Sequence, residues 1–245
     1  VSVTVTVLGC SGSYAGPEEA CSGYLVRSPG ATVVVDLGSG TLANLQAHVD
    51  IADVDALVLS HVHPDHWTDL PILRNAMRYV LGIGGLAVYG TAATHEAASA
   101  LITDLEPTLL WTTIDETSTV AVGDQRLRFS RTDHPVETLA VRLEAAGRTL
   151  LYTADTGPRW APDALAGGVD LAICEATMVD EDDHNGAPVH LTAGQAGALA
   201  RAAGAARLLV THVAPGLDDE VQRRGAAEAF GGPVELARTN GTFPV

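Results

Sequence analysis

The chain has 245 residues, 47 % of them apolar, with 14 basic against 30 acidic residues and a formal net charge of −16. That composition suits a folded core and argues against global disorder, and no uninterrupted apolar run approaches the roughly 20 residues of a membrane-spanning helix. Every basic residue is Arg; a field this negative repels nucleic acid at long range and excludes a broad phosphate-backbone footprint, while leaving room for a small anion held by a local cation.

In chain order, Val1–Leu8 alternates with period two and predicts a half-buried strand. Val-Leu-Gly-Cys10 resembles a lipoprotein cleavage site, but the preceding residues are too few and lack a basic start, so the strand reading prevails. Gly9–Gly16 is a Gly- and Ser-rich loop without the spacing of a dinucleotide fingerprint, and the chain has no Lys for a phosphate-binding loop. Gly23–Arg27 and Ala31–Asp36 predict a pair of strands, Thr41–His48 a helix and Ala56–Ser60 a buried strand. Further strands are expected at Leu127–Arg131, Ala140–Leu143, Thr149–Thr153, Leu171–Cys174 and Arg207–Thr211. Helices are expected at Ala92–Leu105, Ala193–Ala203 and Asp218–Phe230. Strands alternating with helices indicate an α/β protein with helices covering the outer faces of its sheets. No linker or repeat divides the chain, so 1–245 is read as one domain. Three cysteines, Cys10, Cys21 and Cys174, form no CxxC and fit a reducing cytoplasm.

The chemistry concentrates in Ser60-His61-Val62-His63-Pro64-Asp65-His66, directly after a buried strand. Imidazole with carboxylate suits Zn, Mn or Fe(II), and four candidate ligands exceed what one open tetrahedral site takes. A second argument is independent of that motif. Five expected strands run into His61, His134, Asp155, Glu175 and His212 at their carboxyl ends, the edge at which open α/β sheets bind ligands. His134 before Pro135, or Asp155-Thr156-Gly157, taken singly, is also compatible with an ordinary turn.

These residues resemble the metallo-β-lactamase superfamily of dinuclear hydrolases along essentially the whole chain. The resemblance implies an αββα sandwich of two mixed β-sheets with helices outside. It implies two divalent ions, Zn first and Mn or Fe as alternatives. His61, His63 and His134 would hold one, Asp65, His66 and His212 the other, and Asp155 would bridge them.

Cys174-Glu175-Ala176-Thr177 and His190-Leu191-Thr192-Ala193 resemble the ribonuclease Z side of the superfamily, which implies that Glu175 orients His190 beside the scissile phosphate. Only about 20 residues separate His134 from Asp155 and Asp155 from Glu175, with no basic insert for a tRNA-gripping arm. LGCSGS, SGYLVR, Asp69-Leu70-Pro71 and HLTAGQAG resemble the armless atypical cyclic-nucleotide phosphodiesterases of actinobacteria. The expectation is a phosphodiesterase that opens a small cyclic nucleotide, 3′,5′-cAMP to 5′-AMP, by attack of a hydroxide shared by the ions, with Asp65, Glu175 and His190 as catalytic residues. The expected partner is a small anionic phosphodiester rather than long nucleic acid or a membrane, with a homodimer permitted by Ala-rich helices. The alternatives are a tRNA 3′-processing endonuclease, a thioesterase, lactonase or other carbonyl-directed hydrolase, and a non-enzymatic metal-binding protein.

The lesser candidates complete the reading. The Ser11–Ser13 loop is placed to border the site or to be a plain tight turn. Arg159 and Trp160 are candidates for a phosphate contact or base stacking, against ordinary surface packing. His184 belongs to an acidic loop, His48 and His95 to helix surfaces, and Trp67 and Trp111 to packing.

Overall fold

The structure, a computed structural model, describes residues 2–178 and 188–245. Its first sheet is built from β1 (Thr4–Gly9), β2 (Gly23–Arg27), β3 (Thr32–Leu37), β4 (Ala56–Leu59), β5 (Leu86–Gly90) and β6 (Leu109–Thr113). The second is built from β7 (Thr119–Val122), β8 (Gln125–Arg131), β9 (Leu139–Ala145), β10 (Arg148–Tyr152), β11 (Val169–Glu175), β12 (Ala205–Thr211) and β13 (Val234–Leu236). The last strand, β14 (Thr242–Pro244), returns to the first sheet beside β1. Each sheet begins antiparallel and continues parallel: β3 to β6 run parallel in one, β10 to β13 in the other.

Period-two alternation sorts the side chains into layers. Val33 and Val35 of β3 face Leu127, Val141 and Ile173 of the second sheet in one buried cluster between the sheets. Val34 points the other way, into a cluster with Leu42 and Leu45 of α1 (Thr41–Leu45), Leu70 and Leu73 of α2 (Leu70–Asn75) and Ala98 of α3 (Ala92–Leu101). On the far side, Ala172 and Val210 pack on Ala196 and Leu199 of α4 (Ala193–Ala202) and on Ala226 and Phe230 of α5 (Asp219–Phe230). The order is therefore helix, sheet, sheet, helix, as the sequence led us to expect. The β9–β10 hairpin turns on Ala146 and Gly147 at φ 47° and 75°, the paired positive values of a tight turn that matches strand twist.

Some details depart from expectation. β1 is buried on both faces, not one: Val5 and Val7 meet the inter-sheet core, Leu8 the helical layer, and Thr6 bonds Thr242 of β14 at 2.9 Å. Helix α3 ends at Leu101 instead of Leu105, and α1 at Leu45 instead of His48, which leaves His48 in a turn beyond the helix. Among the described residues no helix is long and apolar enough to cross a membrane.

Candidate metal centre

The parallel strands of both sheets deliver their chemistry at one edge. Beyond β4, Ser60 and His61 leave the strand, and Pro64–His66 turns once as a 3₁₀-helix with Pro at its start. That turn buries Asp65 and His66, while His61 beyond the strand is wholly buried. From the second sheet, β8 leads to His134, β10 to Asp155, β11 ends on Glu175 and β12 leads to His212. Two glycines allow the close approach of these loops. A Cβ on Gly38 would lie 2.0 Å from Asp65 O, and one on Gly12 would lie 2.6 Å from His212 O.

The candidate ligands form two groups. His61, His63, His134 and Asp155 converge, and so do Asp65, His66 and His212, with donor atoms in each group within 4.8 Å of one another. Asp155 spans both groups. Its Oδ2 lies 3.5 Å from His61 Nε2 and 3.9 Å from His134 Nε2, and its Oδ1 lies 3.3 Å from His66 Nε2 and 3.4 Å from His212 Nε2. His212 Nε2 also lies 3.1 Å from Asp65 Oδ2, which accepts the Ser13 backbone N–H at 3.0 Å. The Ser11–Ser13 loop therefore borders the site.

The surrounding hydrogen bonds set the tautomers. Asp36, at the end of the β3 run Val-Val-Val-Asp, accepts from His66 Nδ1 (2.8 Å), Ser60 Oγ (2.9 Å), Ser60 N (2.8 Å) and Tyr152 OH (2.8 Å). With its hydroxyl proton given to Asp36, Ser60 accepts from His61 Nδ1 at 3.0 Å. Thr177 Oγ1 donates to Glu175 Oε2 at 2.8 Å and accepts from His212 Nδ1 at 2.7 Å. His134 Nδ1 donates to Val189 O at 3.0 Å. Each of these imidazoles thus turns a bare Nε2 inward, and those of His66 and His212 stand 3.2 Å apart.

Two lone pairs at that separation repel, and a cation between them relieves the repulsion. His61 Nε2 and Asp155 Oδ1 are moreover buried without a hydrogen-bond partner, which in an interior is costly unless something fills the place. The donor set, imidazoles with carboxylates, suits Zn, Mn or Fe(II). By these tests the residues fit divalent ions.

The titration pattern agrees at His61, His63 and His134 and departs from it at His66, which without an ion favours its cation. Burial pushes His61 down to about 4 and also lowers His63 and His134, favouring the neutral ring a metal takes. Burial opposes charge on Asp155 too, but His212, His66 and His61 hold its carboxyl well below the ordinary range. His66 is also opposed by burial, yet Asp155 and Asp36 raise it well above its usual value. Burial would raise Asp65 as well, and the neighbouring imidazoles of His212 and His66 lower it instead.

Beside the cluster stands the Glu175–His190 pair. Glu175 is 1 % exposed. Its Oε1 accepts from His190 Nδ1 at 3.0 Å and from Thr156 N at 2.7 Å, and Oε2 takes the Thr177 hydroxyl and the Leu191 N–H. The His190 ring lies 5.3 Å from that of His134 and 5.7 Å from that of His212. Burial disfavours its cation, but the Glu175 hydrogen bond and charge outweigh this and raise His190 to about 9. Two residues on, Thr192 and Gln195 close a reciprocal capping box at the start of α4, fixing where the chain carrying His190 enters the helix.

All nine residues expected at the site, His61, His63, Asp65, His66, His134, Asp155, Glu175, His190 and His212, come together. Arg159 does not face the cluster. Its guanidinium is 74 % exposed and grips Asp133 through two hydrogen bonds of 3.0 and 2.8 Å. Trp160 is buried, with Nε1 donating to Ser130 Oγ at 3.2 Å, which removes it from base stacking. Trp67 is buried and donates to Val62 O, and Trp111 packs against His95 at 5.0 Å, both as packing residues. His48 bonds Asn240 at the surface. His184 lies outside the described residues. Three residues went unanticipated: Asp36, Tyr152 and Thr177. An acid ending a buried apolar strand is the signal by which Asp36 could have been found, the same one that singles out Asp155 and Glu175.

A family model described as a beta-lactamase superfamily domain matches residues 18–213. An uncharacterized protein of Mycobacterium tuberculosis is 36 % identical over 259 residues, spanning 100 % of this chain and 93 % of its own length. The probable metallo-hydrolase YhfI of Bacillus subtilis is 34 % identical over 240 residues, 96 % of this chain and 97 % of that protein. Its crystal structure aligns over 100 % of both chains with a TM-score of 0.90 at 30 % identity. A ribonuclease Z of Mycolicibacterium paratuberculosis is 29 % identical over 266 residues, covering 96 % of this chain and 95 % of its own.

Proposed function

The chain belongs to the beta-lactamase superfamily, and from that membership we propose that it is a metal-dependent phosphodiesterase acting on a small cyclic nucleotide, 3′,5′-cAMP to 5′-AMP. Two divalent ions, Zn first, held by His61, His63 and His134 and by Asp65, His66 and His212 with Asp155 shared, would supply Lewis-acid polarisation of the phosphodiester and a water acidic enough to attack at neutral pH. Asp65 is fixed through Oδ2 by the Ser13 N–H, leaving Oδ1 to orient that water. Glu175 takes the Nδ1 proton of His190 in a hydrogen bond, so Nε2–H is the group free to serve the substrate. As the water oxygen bonds to phosphorus and passes a proton to Asp65 Oδ1, the P–O3′ bond breaks and His190 gives the Nε2 proton to the departing 3′-oxygen.

The observation that carries this reading is the buried carboxylate–imidazole pair beside the double ligand cluster. A leaving alkoxide needs a proton donor at the phosphate, and His190 is held for that task. The related ribonuclease Z and metallo-hydrolase are consistent with it. Size argues for a small substrate over tRNA: residues 156–168 contain a single basic side chain, Arg159, and Asp133 already holds it. The free thiols Cys10, Cys21 and Cys174 fit a reducing cytoplasm.

The test is turnover of 3′,5′-cAMP by metal-loaded protein, followed by chromatography, with Asp65→Ala as control and His190→Ala for the proton donor. The expected result is 5′-AMP from wild type, none from Asp65→Ala, and a loss in kcat of about 10²–10⁴ in His190→Ala with both ions retained. Metal-loaded protein that leaves cAMP intact refutes the cyclic-nucleotide reading. Full activity in His190→Ala refutes the proton-donor role.

A further inference from the structure

Helix α2 continues without a break into a π-helical turn, Ala76–Leu81. Together they turn Leu70, Leu73 and Met77 into the helical layer and leave Ile72, Asn75 and Tyr79 on the opposite side, the two faces that spacings of three and four define. The π turn then carries the chain off the core: residues 78–82 are all exposed, Tyr79 at 68 % and Val80 at 81 %. Such a turn inside a helix is rare and often marks a functional segment. Arg74 ties it to the end of α3, its guanidinium donating to Asp104 O at 3.0 and 2.8 Å and to Tyr79 OH at 3.1 Å. Tyr79 thereby shares a cleft with Leu101, which is itself 67 % exposed.

Exposed apolar residues scattered singly need no explanation. Here Tyr79, Val80 and Leu81 are consecutive, Ile72 shares the side of Tyr79, and Leu101 shares its cleft. The five present on the order of 500 Å² of apolar surface. Two such faces laid together bury about 1,000 Å², the lower bound of a specific interface, before any polar rim is added. Charge decides what lies opposite. The chain has a net charge of −16, so two copies repel across most approaches. Residues 70–103 are an exception: Glu96 is their one acid, where the chain average gives about four, and Arg74 and Arg78 are their basic residues. An acidic protein or an anionic membrane would call for free cations, and neither guanidinium is free. Arg74 is buried among the partners just given, and Arg78 Nη1 lies 3.8 Å from Asp104 Oδ2. That pair instead puts both signs on one face, which suits a surface that meets its own copy.

We propose that this face binds a second copy of the chain about a two-fold axis, with Tyr79, Val80 and Leu101 of each copy at its centre. The Ala-rich helices α4 and α5 are packed on one another in the opposite helical layer, so the association runs through the α2–α3 side.

Sedimentation velocity of the full-length, metal-loaded protein, from micromolar to hundred-micromolar concentration, is the test. Wild type is expected to sediment as a dimer. Val80→Glu and Leu101→Glu, at side chains that face outward, are each expected to weaken association at least about tenfold. Val221→Glu, at an exposed apolar residue of α5 outside this face, is expected to leave it unchanged. Hydrogen exchange supplies a reading free of variants: the amides of residues 78–82 are expected to exchange more slowly as wild-type concentration rises through the dissociation constant. Wild type that stays monomeric at the highest concentration overturns the proposal. So does a dimer that survives both Glu substitutions, or one that Val221→Glu breaks, because the interface then lies elsewhere. A monomer that cosediments with phosphatidylcholine–phosphatidylglycerol vesicles overturns it in favour of a membrane contact. No turnover enters these measurements, so they stand apart from the cyclic-nucleotide reading.

Discussion

Asp36→Asn isolates what the outer ring of hydrogen bonds contributes, because Asn tolerates the backbone that Asp36 adopts at φ 59°. Oδ2 accepts from Ser60 Oγ, His66 Nδ1 and Tyr152 OH, and Oδ1 from Ser60 N alone. The amide therefore does least harm with its NH₂ in the Oδ1 place, where it faces the Ser60 N–H donor to donor. That lost bond in a fully buried setting costs about 1–3 kcal/mol. The three remaining bonds change from charge-assisted to neutral, at about 1 kcal/mol each. The expected destabilisation is thus about 4–6 kcal/mol, which in a chain of this size lowers Tm by at least about 8 °C. Thermal unfolding of the metal-stripped protein measures this directly. Metal competition should show a 10–100-fold loss of affinity, the usual effect of removing the partner of a ligating His. A Tm within about 2 °C of wild type with unchanged metal affinity would refute the argument.

Gly38→Ala should cost at least about 2 kcal/mol by urea unfolding, because the new Cβ meets Asp65 O at 2.0 Å and must displace that loop; a near-neutral result would mean that the loop yields freely. In the metal-stripped protein the Glu175–His190 pair has a signed pH dependence. His190 is raised to about 9 from an ordinary value near 6.5, so its stabilisation is complete below about pH 6.5 and disappears as pH rises through about 9. The stability gap between wild type and His190→Asn should accordingly be wide near pH 6 and close by about pH 10. A gap that stays constant or widens with pH contradicts the pairing.

The His-rich segment was legible because four ligand-type residues in six positions after an apolar strand have few other uses. The rest of the ligand set followed from strand endings, since a parallel strand shows its end as the place where an apolar run stops. Edge elements were harder to see. β6, Leu-Leu-Trp-Thr-Thr, is buried only at Leu109, so it carries no period. β13 and β14 are three residues each and owe their existence to neighbours far away in sequence. The double burial of β1 was hidden for the same reason: Thr at its alternate positions reads as solvent-facing until β14 supplies Thr242 as a partner. Thr177 was invisible because a hydroxyl that relays Glu175 to His212 has no pattern of its own. Arg159 misled because an Arg beside a predicted anion site is ambiguous until its actual partner is located.

The threading of the chain has a consequence for synthesis. Strands β1 to β6 all precede Ile114, whereas the second sheet and β14 lie entirely after it. An emerging chain therefore completes most of one layer while Val5, Val7, Val26, Val33, Val35 and Val58, which later meet the other sheet, have nothing to cover them. At about 5–20 residues per second this interval lasts roughly 7–26 s. During it the half-made product is a β-sheet with a bare apolar face, the state most open to capture by chaperones or by another nascent copy. Slower translation before Ile114 should leave the yield of native protein unchanged, and slower translation after it should lower that yield.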